Sequence, residues 1–141
     1  MKIMQLSSEK SWRGGEQQIA YLILYLISQN VEVVVCCRKN SRFSEWCKTH
    51  SVKYFEMGFK NGMDFNTAFK IKKIAHREQV DLINSHSGKS HSLVYLAAKL
   101  GMKKPIVVHR RVDFPLKTKG VSLAKYNLPQ IKYIVCVSEA I

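Results

Sequence analysis

The sequence predicts an α/β domain, with a Rossmann-like parallel sheet of about six strands and helices on both faces. Three observations carry this expectation. Short β-branched runs alternate with stretches of helical period along the whole chain. One of these runs, Val31 to Cys37, is almost continuously apolar, as a strand buried on both faces of a parallel sheet must be. The length of 141 residues with 46% hydrophobic content is enough to close one core.

Taken in order, Lys2 to Leu6 reads as a first strand, followed by a polar loop through Gly15. Glu16 to Gln29 is helical, because Ile19, Leu22, Ile23, Leu26 and Ile27 recur at the spacing of one helix face. Val31 to Cys37 is the second strand. A helix from Ser41 to His50 and a short strand from Lys53 to Glu56 follow. Asn61-Gly62 marks a turn. Asn66 or Asp64 caps the next helix, whose apolar side is expected to be Phe69, Ile71, Ile74 and Ala75. Val80 to Ser85 is a strand, and Ser87 to Leu100 a helix stopped by Gly101 as its C′ residue. Pro105 to His109 is the next strand, then a basic loop, a short helix around Ser122 to Tyr126, and a last strand from Ile131 to Val137. Ser138 reads as an N-cap with Glu139 to Ile141 opening another helix, so the domain is expected to continue beyond the chain.

Composition narrows the function classes. No apolar run approaches the roughly 20 residues of a membrane-spanning helix. The first six residues are too short for a signal peptide, which predicts a cytoplasmic protein. Cys36, Cys37, Cys47 and Cys136 have neither C-x-x-C spacing nor a histidine pair, which predicts reduced thiols and no metal site. The net charge of +13 is large, and between Lys103 and Lys132 eight basic residues face one acid, Asp113. Such a field favours a phosphorylated substrate, an anionic membrane surface or nucleic acid, and charge alone does not choose.

In an open α/β sheet ligands bind beyond the carboxyl ends of the strands, which selects a few loops. After the first strand, Arg13-Gly14-Gly15 precedes a helix whose N–H groups attract anions. G-x-G-x-x-G is absent, so this is no dinucleotide fingerprint. After the fourth strand comes His86-Ser87-Gly88-Lys89-Ser90-His91. Gly88-Lys89-Ser90 is like the end of a P-loop, but Ile83 stands where its first glycine belongs, which excludes an ATPase of that type. The loop's amide groups can still contact a phosphate or sugar hydroxyl, which makes His86 and Ser87 candidate substrate contacts, with His86 and His91 as strand-end polar residues the alternative. After the fifth strand, His109 can position an acceptor hydroxyl or take its proton, and Arg110 and Arg111 match phosphate geometry.

In order along the chain, the Gly-Gly-Glu loop, Val80-Asp81-Leu82-Ile83 leading to His86, Pro105 to Pro115 and Ile134 to Ala140 resemble retaining glycosyltransferases of the GT-B fold. The likeness is to the amino-terminal domain of the family 4 group. It implies residues 1–141 are the acceptor-side half of a two-domain enzyme, with the donor-binding domain absent and the chain inactive alone. It further implies a nucleotide-sugar donor, a lipopolysaccharide or lipid-linked saccharide acceptor, no metal or other cofactor, and no specific nucleic acid. By that likeness Gly14 and Gly15 lie near donor phosphates and acceptor, His109 lies near the reacting sugar, and Ser138 and Glu139 precede the interdomain crossover. Many relatives place the crevice histidine slightly later, which leaves Arg110 and Arg111 as alternatives to His109. Two other classes remain open: a basic nucleic-acid-binding α/β domain, and a stand-alone flavodoxin-like regulatory domain.

Overall fold

The computed structural model describes residues 1–60, 64–110 and 128–136, with Arg110 and Cys136 described by their backbone alone. Ten elements follow one another: β1 (Lys2–Ser7), α1 (Gly14–Ser28), β2 (Glu32–Arg38), α2 (Arg42–Thr49), β3 (Lys53–Met57), α3 (Phe65–Arg77), β4 (Leu82–Ser85), α4 (Gly88–Lys99), β5 (Ile106–Arg110) and β6 (Ile131–Cys136). The six described strands form one parallel sheet in the order β3-β2-β1-β4-β5-β6. The chain therefore reverses its direction of travel across the sheet between β1 and β4, and a crevice opens at their carboxyl ends.

Side-chain alternation along the strands builds two cores. Met4, Leu6, Val34, Cys36, Ile83 and Val108 meet α3 and α4 on one face. Val33, Val35 and Cys37 meet α1 and α2 on the other. Cys36 and Cys37 thus point to opposite faces, as adjacent strand residues do. Cys36, Cys37 and Cys47 are free and buried, and burial pushes the Cys37 thiol up to about 12.

The helix starts obey local chemistry. Ser41 accepts a hydrogen bond from the Ser44 N–H at 3.1 Å, and Asp64 accepts one from Thr67 at 3.2 Å. Gly101 ends α4 at φ +108°, a left-handed position where a side chain would be strained.

Three expectations are corrected. Gly14 and Gly15 are the first two residues of α1 rather than its preceding loop, because Arg13 takes the extended N-cap conformation. The fourth strand begins at Leu82, two residues after Val80. Phe69 is not on the core side of α3: it is 49% exposed, while Ala68, Ile71, Ile74 and Ala75 fill the buried stripe. The turn at Asn61-Gly62, the helix at Ser122 to Tyr126, and the cap at Ser138 lie outside the described residues.

Candidate functional site

The crevice is built by a row of residues at the carboxyl edge of the three central strands. In register, Leu6 pairs with Ser85 and Ser85 with Val108. One residue further along each strand brings Ser7, His86 and His109 side by side. The rings of His86 and His109 stack with centroids 4.3 Å apart and planes inclined by 29°. Beneath them Gln5, fully buried on β1, places its side-chain oxygen 2.5 Å from Nε2 of His86. That oxygen can only accept, so His86 carries its proton on Nε2 and its ring orientation is set. His109 therefore stands in the crevice, supported from behind by a fixed imidazole.

A serine cluster closes the next shell. Ser8 Oγ lies 2.6 Å from Ser87 Oγ, tying the loop after β1 to the loop after β4. Ser87 is the N-cap of α4: its hydroxyl accepts from the Ser90 N–H at 3.1 Å, and Ser90 Oγ accepts from the Ser87 N–H at 3.0 Å. Ser85 Oγ and Ser90 Oγ are 2.9 Å apart. Ser7 Oγ and Gln5 Nε2 are buried without a hydrogen-bond partner among the described residues. Polar groups so placed keep hydrogen-bonding capacity for a ligand at the cost of leaving it unused in the free fold.

Both helices that meet the crevice begin with glycine. A β-carbon at Gly14 or at Gly88 would meet nothing within 4 Å. Packing therefore does not demand glycine at either position, and the open space lies beside helix N-termini, where anions are favoured. At α1 the Arg13 N–H donates to the buried Glu16 carboxylate at 3.0 Å, and no side chain caps the helix. The preceding residue, Trp12, stacks on Phe43 of α2 at 5.6 Å, which anchors the loop to the second core.

Of the residues singled out from the sequence, His86, Ser87 and His109 are brought together, with Arg13, Gly14 and Gly15 at the neighbouring helix end of the same edge. Arg111, Ser138 and Glu139 lie outside the described residues, and so does the Arg110 side chain. Gln5, Ser7 and Ser8 were missed. Their signal was available: Gln5 is the one polar residue inside Ile3 to Leu6, an otherwise apolar strand. Among the described residues no group of three histidine, cysteine or carboxylate side chains could hold a metal ion. No helix among them is long and apolar enough to cross a membrane.

The family model for Glycosyltransferase Family 4 matches residues 12–141. No curated protein sequence matches the chain. Among solved structures, a glycosyltransferase from Rickettsia africae ESF-5 is 20% identical, with a TM-score of 0.71, over 97% of this chain and 36% of that one. The lipopolysaccharide outer core galactosyltransferase WaaB, in its apo form, is 17% identical with a TM-score of 0.70, over 100% of this chain and 40% of that one. Anabaena HepE in complex with UDP is 16% identical with a TM-score of 0.67, over 89% of this chain and 34% of that one. The chain thus spans well under half the length of these structures. Its fold is that of the amino-terminal half of GT-B glycosyltransferases.

Proposed function

The chain belongs to Glycosyltransferase Family 4, and on that premise we propose that it is the acceptor-side domain of an enzyme that moves a sugar from a nucleotide sugar to a cell-envelope saccharide. The observation that carries the reading is the His86–His109 stack over Gln5 at the strand-order reversal. One imidazole held by a second at the carboxyl ends of the central strands supports a ligand at that edge, where open α/β sheets bind theirs.

In this reading His109 accepts a hydrogen bond from the acceptor hydroxyl and directs its oxygen at the anomeric carbon. The bond from that carbon to the diphosphate breaks with its electron pair leaving on the phosphate oxygen, the acceptor oxygen bonds to the carbon in its place, and the hydroxyl proton passes through the His109 hydrogen bond to end on the released diphosphate. His86 does not touch substrate; it holds the His109 ring. Gly14 and Gly88 let phosphate or sugar hydroxyls approach the helix N-termini. Arg13, Gly15, Ser87, Arg110, Arg111, Ser138 and Glu139 complete the proposed substrate contacts. Holding the two reactants together in this way can contribute ~7–11 kcal/mol to the barrier reduction. The UDP bound to HepE supports a nucleotide-sugar donor, and the stated activity of WaaB supports an envelope acceptor. No metal or cofactor is part of the proposal, and the location proposed is cytoplasmic, at the membrane face.

The reading divides labour between halves, so the 141-residue chain is expected to bind a lipopolysaccharide core saccharide without consuming UDP-glucose, UDP-galactose or GDP-mannose. Release of nucleoside diphosphate by the chain alone would contradict that division.

A further inference from the structure

Lys103 and Lys104 open the basic run of the sequence, and the crevice does not use them. They precede β5, while Lys72 and Lys73 lie near the end of α3, which leads into β4. All four therefore stand at the amino edge of the sheet, opposite the crevice. The four residues of β4 and five of β5 separate the two edges by roughly 13–17 Å, at about 3.3 Å per residue.

A cavity of about 360 Å³ opens between these two pairs. Its floor is apolar, made by the buried Ala75 and Met102. Lys73 and Lys103 are exposed at the rim, whereas Lys72 and Lys104 are half-buried. No carboxylate lines the cavity, and among the described residues none of the four lysines is in an ion pair. Lys72 and Lys73 lie 5.9 and 5.7 Å from the centre of the Phe69 ring, which supplies no full negative charge.

Helix electrostatics accounts for part of this charge. The carboxyl ends of α3 and α4 both point to this edge, and each carries about half a negative charge. Together they offset roughly one of the four ammonium groups, which leaves about three positive charges around one cavity. Mutual repulsion of such a set is relieved by an anion of matching charge. The volume falls at the lower end of small-ligand sites, about 300–1,000 Å³. It suits a short polyphosphate better than an extended chain.

We propose that this cavity binds a soluble polyphosphate of three or more negative charges, at a site separate from the crevice. The lysines meet its oxygens from two walls, α3 on one side and the 103–104 segment on the other, while Ala75 and Met102 take an apolar part of the ligand. A nucleotide sugar carries two phosphate charges, fewer than the site leaves unmatched, and is not the expected occupant. α4 connects the two sites, with its N-cap Ser87 in the crevice and its C′ residue Gly101 at the cavity. Occupancy therefore clamps the far end of the helix that carries Ser87. None of these contacts depends on the sugar-transfer reading.

The test is calorimetric titration of the chain with sodium tripolyphosphate at low ionic strength. One site is expected, at least about tenfold tighter than for UDP-glucose. Lys73→Gln with Lys103→Gln, one exposed residue from each wall, is expected to weaken it at least about tenfold. Lys39→Gln with Lys48→Gln, an equal charge change on exposed residues elsewhere, is expected to change it less than about threefold. Unchanged far-UV circular dichroism checks each fold. Hydrogen–deuterium exchange with tripolyphosphate is expected to slow in residues 72–76 and 101–104 and not in 84–92. Equal loss in the Lys39/Lys48 pair, equal affinity for UDP-glucose, protection of 84–92 in place of 101–104, or binding to phosphatidylglycerol vesicles with none to tripolyphosphate would each overturn the proposal.

Discussion

Nε2 of His86 donates to the side-chain oxygen of Gln5 across 2.5 Å, joining the strands on the two sides of the strand-order reversal. Both residues are buried, so neither end of this bond is available to bulk water. Gln5→Leu keeps the volume but strands a buried N–H, which costs about 1–3 kcal/mol. Urea unfolding measures it. A neutral substitution would mean that Gln5 does not hold the ring.

The glycines at the two crevice helices separate packing from ligand contact. Because a β-carbon at Gly14 or Gly88 meets nothing, Gly14→Ala and Gly88→Ala are expected to leave stability unchanged or raise it by up to about 1 kcal/mol. Ligand binding is expected to fall in the same variants. Calorimetric titration with a core saccharide, beside thermal unfolding, reads both quantities; unchanged binding would place the ligand elsewhere.

Phe43 is the largest wholly buried side chain of the second core, stacked against Trp12 and 5.4 Å from the Trp46 ring. Phe43→Ala is expected to cost about 3–5 kcal/mol and to shift tryptophan fluorescence to longer wavelength. The Trp12 contact makes this a site variant at one remove, since that residue leads into Arg13 and Gly14.

Asp64 caps α3, and its titration has a definite sign. Burial pushes its carboxyl up, but hydrogen bonds from the Thr67 hydroxyl and the Lys60 and Thr67 N–H groups outweigh this and hold it below the usual value. A depressed folded-state value means that the stabilisation is fully present above the unfolded-state pKa of about 4. It is lost as pH falls through the lower folded value. Asp64→Ala is expected to cost about 1 kcal/mol at neutral pH, a difference that shrinks below about pH 4. Denaturant titrations of both proteins across pH 2.5 to 7, as a rough span, check it; a difference constant with pH would contradict the charge-based account.

The sheet was readable because each strand is a compact apolar run and each helix keeps its period, even where single residues mislead. Phe69 misled because hydrophobicity alone marks a core position, whereas its exposure comes from the packing of Ala68 and Ile71 beneath it. His86, Ser87 and His109 were readable as strand-end residues. Their meeting was not, since it depends on β4 lying between β1 and β5, and strand order is a long-range property. Gln5 was passed over for the same reason: 81 residues separate it from the histidine it holds. Membership of Glycosyltransferase Family 4 settles the choice among the three classes that charge and periodicity left open.

The central claim, that ligand binds at the carboxyl edge of β1, β4 and β5, is tested most directly by hydrogen–deuterium exchange of the chain mixed with a lipopolysaccharide core saccharide and UDP-glucose. The account predicts slowed exchange in residues 7–16, 84–92 and 106–110, and none in 70–77 or 101–104. Protection confined to the α3 face, or absent from the three crevice segments, would contradict it.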